Sequence, residues 1–387
     1  MAVCRSVTSS SWMRRAVWTP RPPSLGLPAV TSLRALPLDA DELRLTGGCF
    51  VTIANHEAPV YDYFERNVVV SRSNVVIDGL RHEVTREGDH GAPYNGFLRI
   101  DGCARVEVRN CQFTGRQSYQ SLGSTGNVVT MGPYDLIVED ALGVPLRNCL
   151  QTNDIDDESR WGIFGFNHCK NIVFDGCVLS RFDAHRGVYN VTIRNSMLGH
   201  MCIRAIGQAT LLVENIVATG DHLINLRRDY GSSWRGEVIV RDCRFLPRAG
   251  AERRSVLAFA QHASDHDFGY PCVMPCPFVF ESIRIDDTHH QMDDPGLVAF
   301  SDTTTAAAEG VEGRCPYAAT EEVVLIIVTT ATGVRSRSAT TSSCSRSPSS
   351  SPHEQLLGRT TRRDLKDTQL RLDGDCCLLL YLPISLR

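Results

Sequence analysis

Three neighbouring segments of the chain concentrate the residue types that carry proton-transfer chemistry. Residues 181–187 read Arg-Phe-Asp-Ala-His-Arg-Gly, residues 200–204 read His-Met-Cys-Ile-Arg, and residues 221–230 read Asp-His-Leu-Ile-Asn-Leu-Arg-Arg-Asp-Tyr. Histidine titrates near neutral pH and suits general-base work, and arginine binds anionic groups. We take four residues of these segments as catalytic candidates: Asp183, His185, Arg204 and His222.

Cleavage of a uronic-acid polysaccharide by β-elimination is one reaction that these residue types could carry out. It requires a cation that neutralises the carboxylate of the sugar, and Arg204 or Arg227 could supply it. It also requires a base that removes the C5 proton, and His185 or His222 has the suitable ionisation range.

Glycoside hydrolysis is the second reaction. It needs two carboxyl groups, ~5–5.5 Å apart for retention or ~6.5–9.5 Å apart for inversion of configuration. Strands in a sheet lie ~4.8 Å apart, so carboxylates on adjacent or alternate strands reach these separations. Asp183 with Asp221 or Asp229 is the candidate pair. The paired aspartates and the Gly-His-Gly and Arg-Ile-Lys sequences of polygalacturonase-like hydrolases are absent from the chain.

A second group of polar and aromatic residues lies beside these candidates and suits sugar binding. Aromatic rings can stack on sugar faces, and polar side chains can bind hydroxyl or carboxylate groups. The alternative is a solvated face on which Arg and Asp simply neutralise each other. The substrate-binding candidates are Arg186, His200, Asn225, Arg227, Asp229, Tyr230 and Trp161.

A repeated pattern of strand and turn places these residues on successive, similar elements. Each repeat has alternating apolar positions, a polar residue, a turn-forming residue and a small or apolar residue. The turn-forming residues tolerate a left-handed backbone or cap a turn with their own side chains. The repeats begin at Val75, Val106, Val144, Ile172, Val191, Leu211, Val238 and Phe278, and Leu136–Ala141 competes with the third of them.

The spacing of the repeats predicts an all-β solenoid. The clearest intervals are 19 and 20 residues, between the turn positions Gly176, Asn195 and Asn215. A coil of this length with period-2 alternation is typical of stacked parallel strands, with insertions forming loops. No amphipathic helical segments separate the strands, as a wound α/β sheet would require. In such a stack, side chains of equal parity on adjacent coils face the same side, so Asp183, His185, Arg204 and His222 should form one outward cluster.

Residues 65–285 resemble the right-handed parallel β-helix, or pectate-lyase-like, superfamily. The resemblance is carried by the strand–turn repeats, including Ser73-Asn74-Val75-Val76-Ile77-Asp78-Gly79 and residues 169–177, Cys-Lys-Asn-Ile-Val-Phe-Asp-Gly-Cys. It implies a single-stranded right-handed parallel β-helix. It also implies a carbohydrate-active protein: a polysaccharide lyase, a glycoside hydrolase, or a glycan-binding, surface or phage-appendage protein without catalysis.

The cysteines and acidic residues give no metal-site pattern. Four cysteines occupy the position after the turn, where they should form one inward column of small buried side chains. The acidic loop 153–158, Asn-Asp-Ile-Asp-Asp-Glu, is the one candidate for Ca²⁺, but it lacks the glycine and the 12-residue spacing of an EF-hand loop. We therefore predict no metal site and no cofactor. The four cysteines are Cys111, Cys149, Cys177 and Cys243.

The two ends of the chain differ in composition from its middle. Residues 1–40 are rich in Arg, Ser and Pro, as in a transit peptide or a mis-started reading frame. Residues 41–300 are predicted to form the β-helix. Residues 301–387 have the low complexity of a disordered or frame-shifted tail. Only two of the 40 basic residues are lysines, which is typical of a GC-rich gene.

Composition limits the partners. The chain has 387 residues and a net charge of −4, which gives no general attraction to nucleic acid. Its longest aliphatic run, Val323–Val328, is too short to cross a bilayer. We therefore expect a polysaccharide or oligosaccharide as partner, and neither nucleic acid nor membrane. An extracellular or cell-surface location fits such a substrate, although the chain shows no export signal, and the oligomeric state stays open.

Overall fold

The structure, a computed structural model, describes residues 38–53, 68–87, 97–114, 117–122, 128–132, 134–161, 164–226, 234–248, 256–259, 272–273, 275, 277–288, 298–300, 317–318, 322–331 and 380–383. These residues form strands and connecting turns, with no helix among them. The strands are β1 (Leu43–Thr46), β2 (Cys49–Ile53), β3 (Val68–Val70), β4 (Val75–Asp78), β5 (Arg81–Thr85), β6 (Leu98–Asp101), β7 (Val106–Arg109), β8 (Gln112–Phe113), β9 (Tyr119–Leu122), β10 (Val128–Met131), β11 (Leu136–Glu139), β12 (Leu142–Arg147), β13 (Leu150–Gln151), β14 (Phe164–Asn167), β15 (Cys169–Asp175), β16 (Val178–Arg194), β17 (Met197–Glu214), β18 (Val217–Gly220), β19 (His222–Asn225), β20 (Trp234–Arg235), β21 (Val238–Pro247), β22 (Val256–Phe259), β23 (Cys272–Val273), β24 (Phe278–Ile285), β25 (Val298–Phe300), β26 (Tyr317–Ala318), β27 (Glu322–Thr330) and β28 (Leu380–Pro383).

The strands stack in parallel along three faces of one solenoid. Sheet 1 runs from β1 through β4, β7, β12 and β15 to the C-terminal parts of β16 and β17, and on through β21, β24 and β27. Sheet 2 follows the turn of each repeat and begins with β2, β5, β8 and β13. Sheet 3 contains β3, β6, β11, β14, the middle of β16 and β17, β19, β22 and β25. The predicted all-β solenoid of parallel strands is confirmed.

The alternating pattern of sheet 1 buries every second side chain inside the solenoid. Ile77 and Val108, for example, are fully buried. Asp78 and Arg109, the next residues of the same two strands, form an ion pair on the outside. Neighbouring coils place equivalent residues above one another, so the interior consists of apolar columns. The cysteine column is confirmed: Cys111, Cys149, Cys177 and Cys243 are buried free thiols.

The turn column also forms as predicted. Each turn residue has a positive φ, from 50° at Asn215 to 72° at Gly79. The competing segment Leu136–Ala141 supplies a separate strand, β11 of sheet 3, while Val144–Arg147 belongs to sheet 1 through β12. Both readings of that region therefore describe real strands, on different faces of the solenoid.

The solenoid includes a strand beyond residue 300. β27 continues sheets 1 and 2 by parallel pairing with β24, and β28 pairs with β27 in the antiparallel direction. The aliphatic run Val323–Val328 lies in β27, where alternate residues such as Leu325 and Val328 reach the core. Two strands within the predicted tail 301–387 therefore pair with the solenoid.

Insertions between sheets 2 and 3 interrupt the early coils. The insertion between β8 and β11 contains the hairpin β9–β10, and another insertion lies between β13 and β14. Nowhere in the described ranges does the chain form a helix with the length and apolarity that a bilayer crossing requires.

Candidate functional site

The outer face of sheet 3 brings several of the predicted residues into one ladder. Asp183 on β16 lies opposite Arg204 on β17, and Arg204 lies opposite Asn225 on β19. Their neighbours Phe182 and Ile203 are fully buried in the core. Since successive side chains of a strand alternate between its two faces, Asp183, Arg204 and Asn225 leave the sheet on its outer side.

The alignment of this ladder differs from the one that counting along the repeats predicts. Counting from the turn aligns Asp183 with His222 and His185 with Arg204. In the structure Leu179 pairs with Leu198 but Arg181 pairs with Cys202, so β17 gains two residues over β16 between these pairs. Cys202 has a φ of 46° at this irregularity. The extra residues shift Arg204 into line with Asp183, and His222 falls three residues before Asn225, the residue in line with them.

Asp183 is not solvent-exposed, which corrects the prediction of an open outward cluster. Its exposure is 0%, and that of its ion-pair partner Arg181 is 1%. The covering residues come from the insertions that precede β11 and β14: Tyr134 and Trp161. The ring of Tyr134 lies on the outside of β14, where a Cβ on Gly165 would be 3.6 Å from it. The insertions fold back over sheet 3, and repeat spacing alone does not contain this information.

Tyr134 and three residues of β16 form a compact polar group here, the Arg181–Asp183–His185–Tyr134 cluster. Arg181 Nη2 lies 3.0 Å from Asp183 Oδ2. His185 Nε2 lies 2.9 Å from the same carboxylate oxygen and 2.7 Å from the Tyr134 hydroxyl. The Tyr134 hydroxyl also donates to Asp183 Oδ2 at 3.4 Å. Asp183 Oδ2 therefore contacts a guanidinium, an imidazole and a phenol.

The geometry determines where the imidazole proton lies. A carboxylate only accepts hydrogen bonds, so we assign a proton to His185 Nε2, which donates to Asp183. The ring is then neutral if Nδ1 carries no proton and cationic if Nδ1 is also protonated. The side chain of His185 is 18% exposed, in contrast to the 0% of Asp183. His185 is consequently the member of the cluster that can exchange a proton with a bound molecule, and Asp183 holds its orientation.

Aromatic rings line the same cluster. The Arg181 guanidinium carbon lies 4.3 Å from the centre of the Trp161 ring and 5.0 Å from that of Tyr134. The two rings meet edge to face with centroids 6.1 Å apart. Guanidinium–aromatic stacking of this kind stabilises a cation that has lost its water. Trp161 is half-buried and keeps part of its surface towards solvent.

The insertion that carries Trp161 is fixed to the solenoid at Gly199 and His200. The Ile155 carbonyl accepts hydrogen bonds from the His200 backbone nitrogen at 3.2 Å and from His200 Nδ1 at 3.0 Å. A Cβ on Gly199 would lie 1.9 Å from that carbonyl oxygen, so glycine permits the close approach. Burial lowers the pKa of His200, and the nearby Arg181 and Arg204 charges lower it further. His200 therefore anchors the insertion as a neutral ring.

The remaining predicted residues are dispersed. Arg186 is exposed on β16, and His222 is partly buried at the start of β19. Three substrate-binding candidates lie outside the described residues: Arg227, Asp229 and Tyr230. The structure thus brings together five predicted residues at the outer face of sheet 3: Asp183, His185, Arg204, Asn225 and, from an insertion, Trp161. His200 lies at the edge of this group.

The acidic loop 153–158 makes its contacts with protein groups. Asp157 lies 3.5 Å from Arg160, and Glu158 lies 2.6 Å from Arg248. Burial raises the pKa of Asp156, and the charge of Asp154 adds to that effect. Among the described residues, no group of three or more His, Cys, Asp or Glu side chains is arranged to hold a metal ion.

Two members of the cluster, Arg181 and Tyr134, were not among the sequence candidates. Arg181 has the same parity as Asp183 and His185, so its place on the outer face follows from the strand pattern. Tyr134 comes from an insertion far away in the sequence, and no local signal links it to His185. A scan against protein-family models gives no match for this chain, and a search of curated proteins gives no relative.

Proposed function

We propose that this chain is a carbohydrate-active protein of the pectate-lyase-like type that cleaves an anionic polysaccharide on the outer face of sheet 3. The observation that carries the proposal is the contact of 2.7 Å between the Tyr134 hydroxyl and His185 Nε2, beside a buried carboxylate. A partly exposed histidine whose ring is held by a carboxylate and a phenol is a suitable general base.

The burial of Asp183 favours elimination over hydrolysis. A hydrolase needs two carboxyl groups that reach the glycosidic bond from either side of the sugar. Asp183 is fully buried and contacts Arg181 and His185, so it cannot approach a sugar. β-Elimination needs one base and one acid instead, and a positive charge to stabilise the enolate-like intermediate.

In the proposed reaction, His185 takes the proton from C5 of a uronate residue at its Nδ1 atom, because its side chain is partly exposed whereas Tyr134 and Asp183 are buried. The C–H electrons form the C4–C5 double bond, and the bond from C4 to the leaving glycosyl oxygen breaks. That oxygen receives its proton from water. Arg204, which lies opposite Asp183 on the neighbouring strand β17, binds the substrate carboxylate and stabilises its negative charge. Trp161 offers an aromatic surface to the sugar ring.

The test is incubation of the full-length protein with a panel of uronic-acid and neutral polysaccharides. Ultraviolet absorbance of an unsaturated product marks a lyase, and reducing ends without that absorbance mark a hydrolase. Binding without either signal would indicate a non-catalytic glycan-binding or appendage protein, and it would overturn the enzymatic proposal.

Variants then assign the roles. His185→Ala should reduce turnover about 100-fold or more, the usual contribution of a general base. Tyr134→Phe should reduce it less, because the hydroxyl positions the His185 ring and is buried away from the substrate. Arg204→Ala should weaken catalysis on uronates. The matched controls are His168→Ala, which removes a histidine that contacts Asp140 at a turn, and Tyr189→Phe on another face. Both controls should keep full activity.

A further inference from the structure

A second buried polar group lies towards the N-terminal end of the solenoid, and it adjoins the Arg181–Asp183–His185–Tyr134 cluster only at Asp135, which follows Tyr134 in the chain. It consists of Thr52 on β2, His82 on β5 and Asp135, the residue before β11. His82 is 0% exposed, Asp135 is 1% exposed and Thr52 is 8% exposed. Three polar side chains are thus buried together in a core that is mostly apolar.

The three side chains contact one another in order, with the His82 ring in the middle. Thr52 Oγ1 lies 2.8 Å from His82 Nε2. On the other side of the ring, His82 Nδ1 lies 3.1 Å from Asp135 Oδ1. The direction of this second contact is poor for a hydrogen bond, as is common for catalytic groups in the absence of substrate. Hydroxyl, imidazole and carboxylate stand in the order by which a nucleophile, its base and an orienting group are recognised.

Packing holds the middle and the end of this relay in place. The His82 ring stacks on Phe97 with centroids 4.2 Å apart and an angle of 5° between the planes. Asp135 Oδ2 accepts a hydrogen bond from the Thr114 backbone nitrogen at 2.8 Å. The Thr114 hydroxyl donates to the His82 carbonyl at 2.6 Å. One residue, Thr114, therefore fixes the base and the orienting carboxylate relative to each other.

Thr52 lies in the outermost described coil of the solenoid. Its strand, β2, pairs in parallel with β5. Thr52 is the most exposed of the three residues, and the relay runs inwards from it to His82 and Asp135. The order of exposure is the one that a nucleophile and its buried supporting groups require.

We propose that Thr52, His82 and Asp135 form an acyl-transfer site that accepts esters with small acyl groups, such as acetyl esters. Thr52 Oγ1 attacks the acyl carbon while its proton passes to His82 Nε2. The tetrahedral intermediate releases the alcohol, which takes that proton from His82, and an acyl-threonine remains. Water then attacks the acyl carbon with His82 as base, and it yields the carboxylic acid and the free Thr52 hydroxyl. Asp135 orients the imidazole and stabilises its cationic form.

The closing experiment uses the full-length protein with a fluorophosphonate probe and with p-nitrophenyl acetate. Peptide mass spectrometry should find the phosphonyl group on Thr52, and p-nitrophenol should be released. Thr52→Val and His82→Gln should abolish the adduct and lower the release about 100-fold or more. Thr52→Ser should react faster than the natural protein, because it removes the methyl group beside the oxygen. Thr192→Ala, on the outside of sheet 1, is the matched control and should react as the natural protein does.

A wild-type protein that forms no adduct on Thr52, or a Thr52→Val variant that still reacts, would overturn this proposal. Circular dichroism of each variant checks that the solenoid is intact, and Thr52→Val is nearly isosteric with the natural residue. The assay uses no polysaccharide, and its variants change no residue of the Arg181–Asp183–His185–Tyr134 cluster. Its result therefore does not depend on the proposed lyase activity.

Discussion

At the scale of single residues, the centre of the candidate site is an ion pair withdrawn from water. Asp183 and Arg181 are both almost fully buried, and their contact is 3.0 Å long. Each charge loses its hydration free energy on burial, and the attraction of the opposite charge together with hydrogen bonds compensates for that loss. His185 joins this pair as a titratable group with partial access to solvent. The site thus combines a permanent charge pair with one exchangeable proton.

Asp183→Asn should lower the free energy of unfolding by about 3–5 kcal/mol, because it leaves the Arg181 charge buried without a counter-charge. Urea denaturation followed by circular dichroism measures this loss. The double variant Arg181→Met with Asp183→Leu removes both charges and should recover most of the stability. Asp157→Asn, in an exposed pair with Arg160, is the control and should cost less than about 1 kcal/mol. Equal losses for Asp183→Asn and Asp157→Asn would contradict the buried pair.

At the scale of elements, the turn between sheets 1 and 2 determines the shape of each coil. Asn195 has a φ of 51°, a left-handed conformation that asparagine tolerates better than other non-glycine residues. Its side-chain nitrogen donates to Asp175 Oδ1 at 2.9 Å, and its side-chain oxygen accepts from Asn215 at 2.9 Å. The turn column is therefore held both by its backbone conformation and by hydrogen bonds between coils.

Asn195→Val should destabilise the solenoid by about 2 kcal/mol or more, since a β-branched residue is strained at positive φ and the two side-chain hydrogen bonds are lost. Asn195→Gly should cost less, because glycine adopts this conformation freely. The midpoints of urea unfolding give the order of the variants. Thr192→Val, three residues before Asn195 on the extended strand β16, serves as the control. Both variants lack the two side-chain hydrogen bonds, so an Asn195→Gly variant no more stable than Asn195→Val would contradict the role of the left-handed conformation.

At the scale of the whole molecule, the solenoid buries thiols along most of its length. Burial raises the pKa of Cys103 to about 11 and those of Cys169 and Cys243 to about 12, from an ordinary value of 9.0. The folded chain therefore keeps these protons at pH values where the unfolded chain releases them. Stability linked to these thiols is fully present below about pH 9 and is lost as the pH rises towards 11 and 12.

The free energy of unfolding should consequently fall between about pH 9 and about pH 11. Urea titrations at intervals across this window measure the slope. Because tyrosines also titrate in this range, the comparison is with Cys169→Ala and Cys243→Ala, each of which should have a shallower slope than the natural protein. Identical slopes in all three proteins would contradict the protection of the buried thiols.

The sequence by itself determined the solenoid, because the signals for it are local. Period-2 alternation decides which side chains of β4, β7 and β12 face inwards, and Asn or Gly at the turn decides where each strand of sheet 1 ends. Inward burial of Cys111 and its equivalents follows from the same period. These features depend on neighbours along the chain or on the equivalent residue of the next coil. Both relations can be read from a repeated sequence.

Only the tertiary structure decided the composition of the two polar groups. The irregularity at Cys202 aligns Arg204 with Asp183, and no count of residues along a repeat reveals it. Tyr134 reaches His185 from an insertion some 50 residues earlier, and Asp135 beside it reaches His82 on an earlier coil. Insertions vary in length and follow no period, so their path depends on packing against the finished solenoid. For that physical reason, the chain pattern predicts the scaffold and the folded molecule specifies the sites.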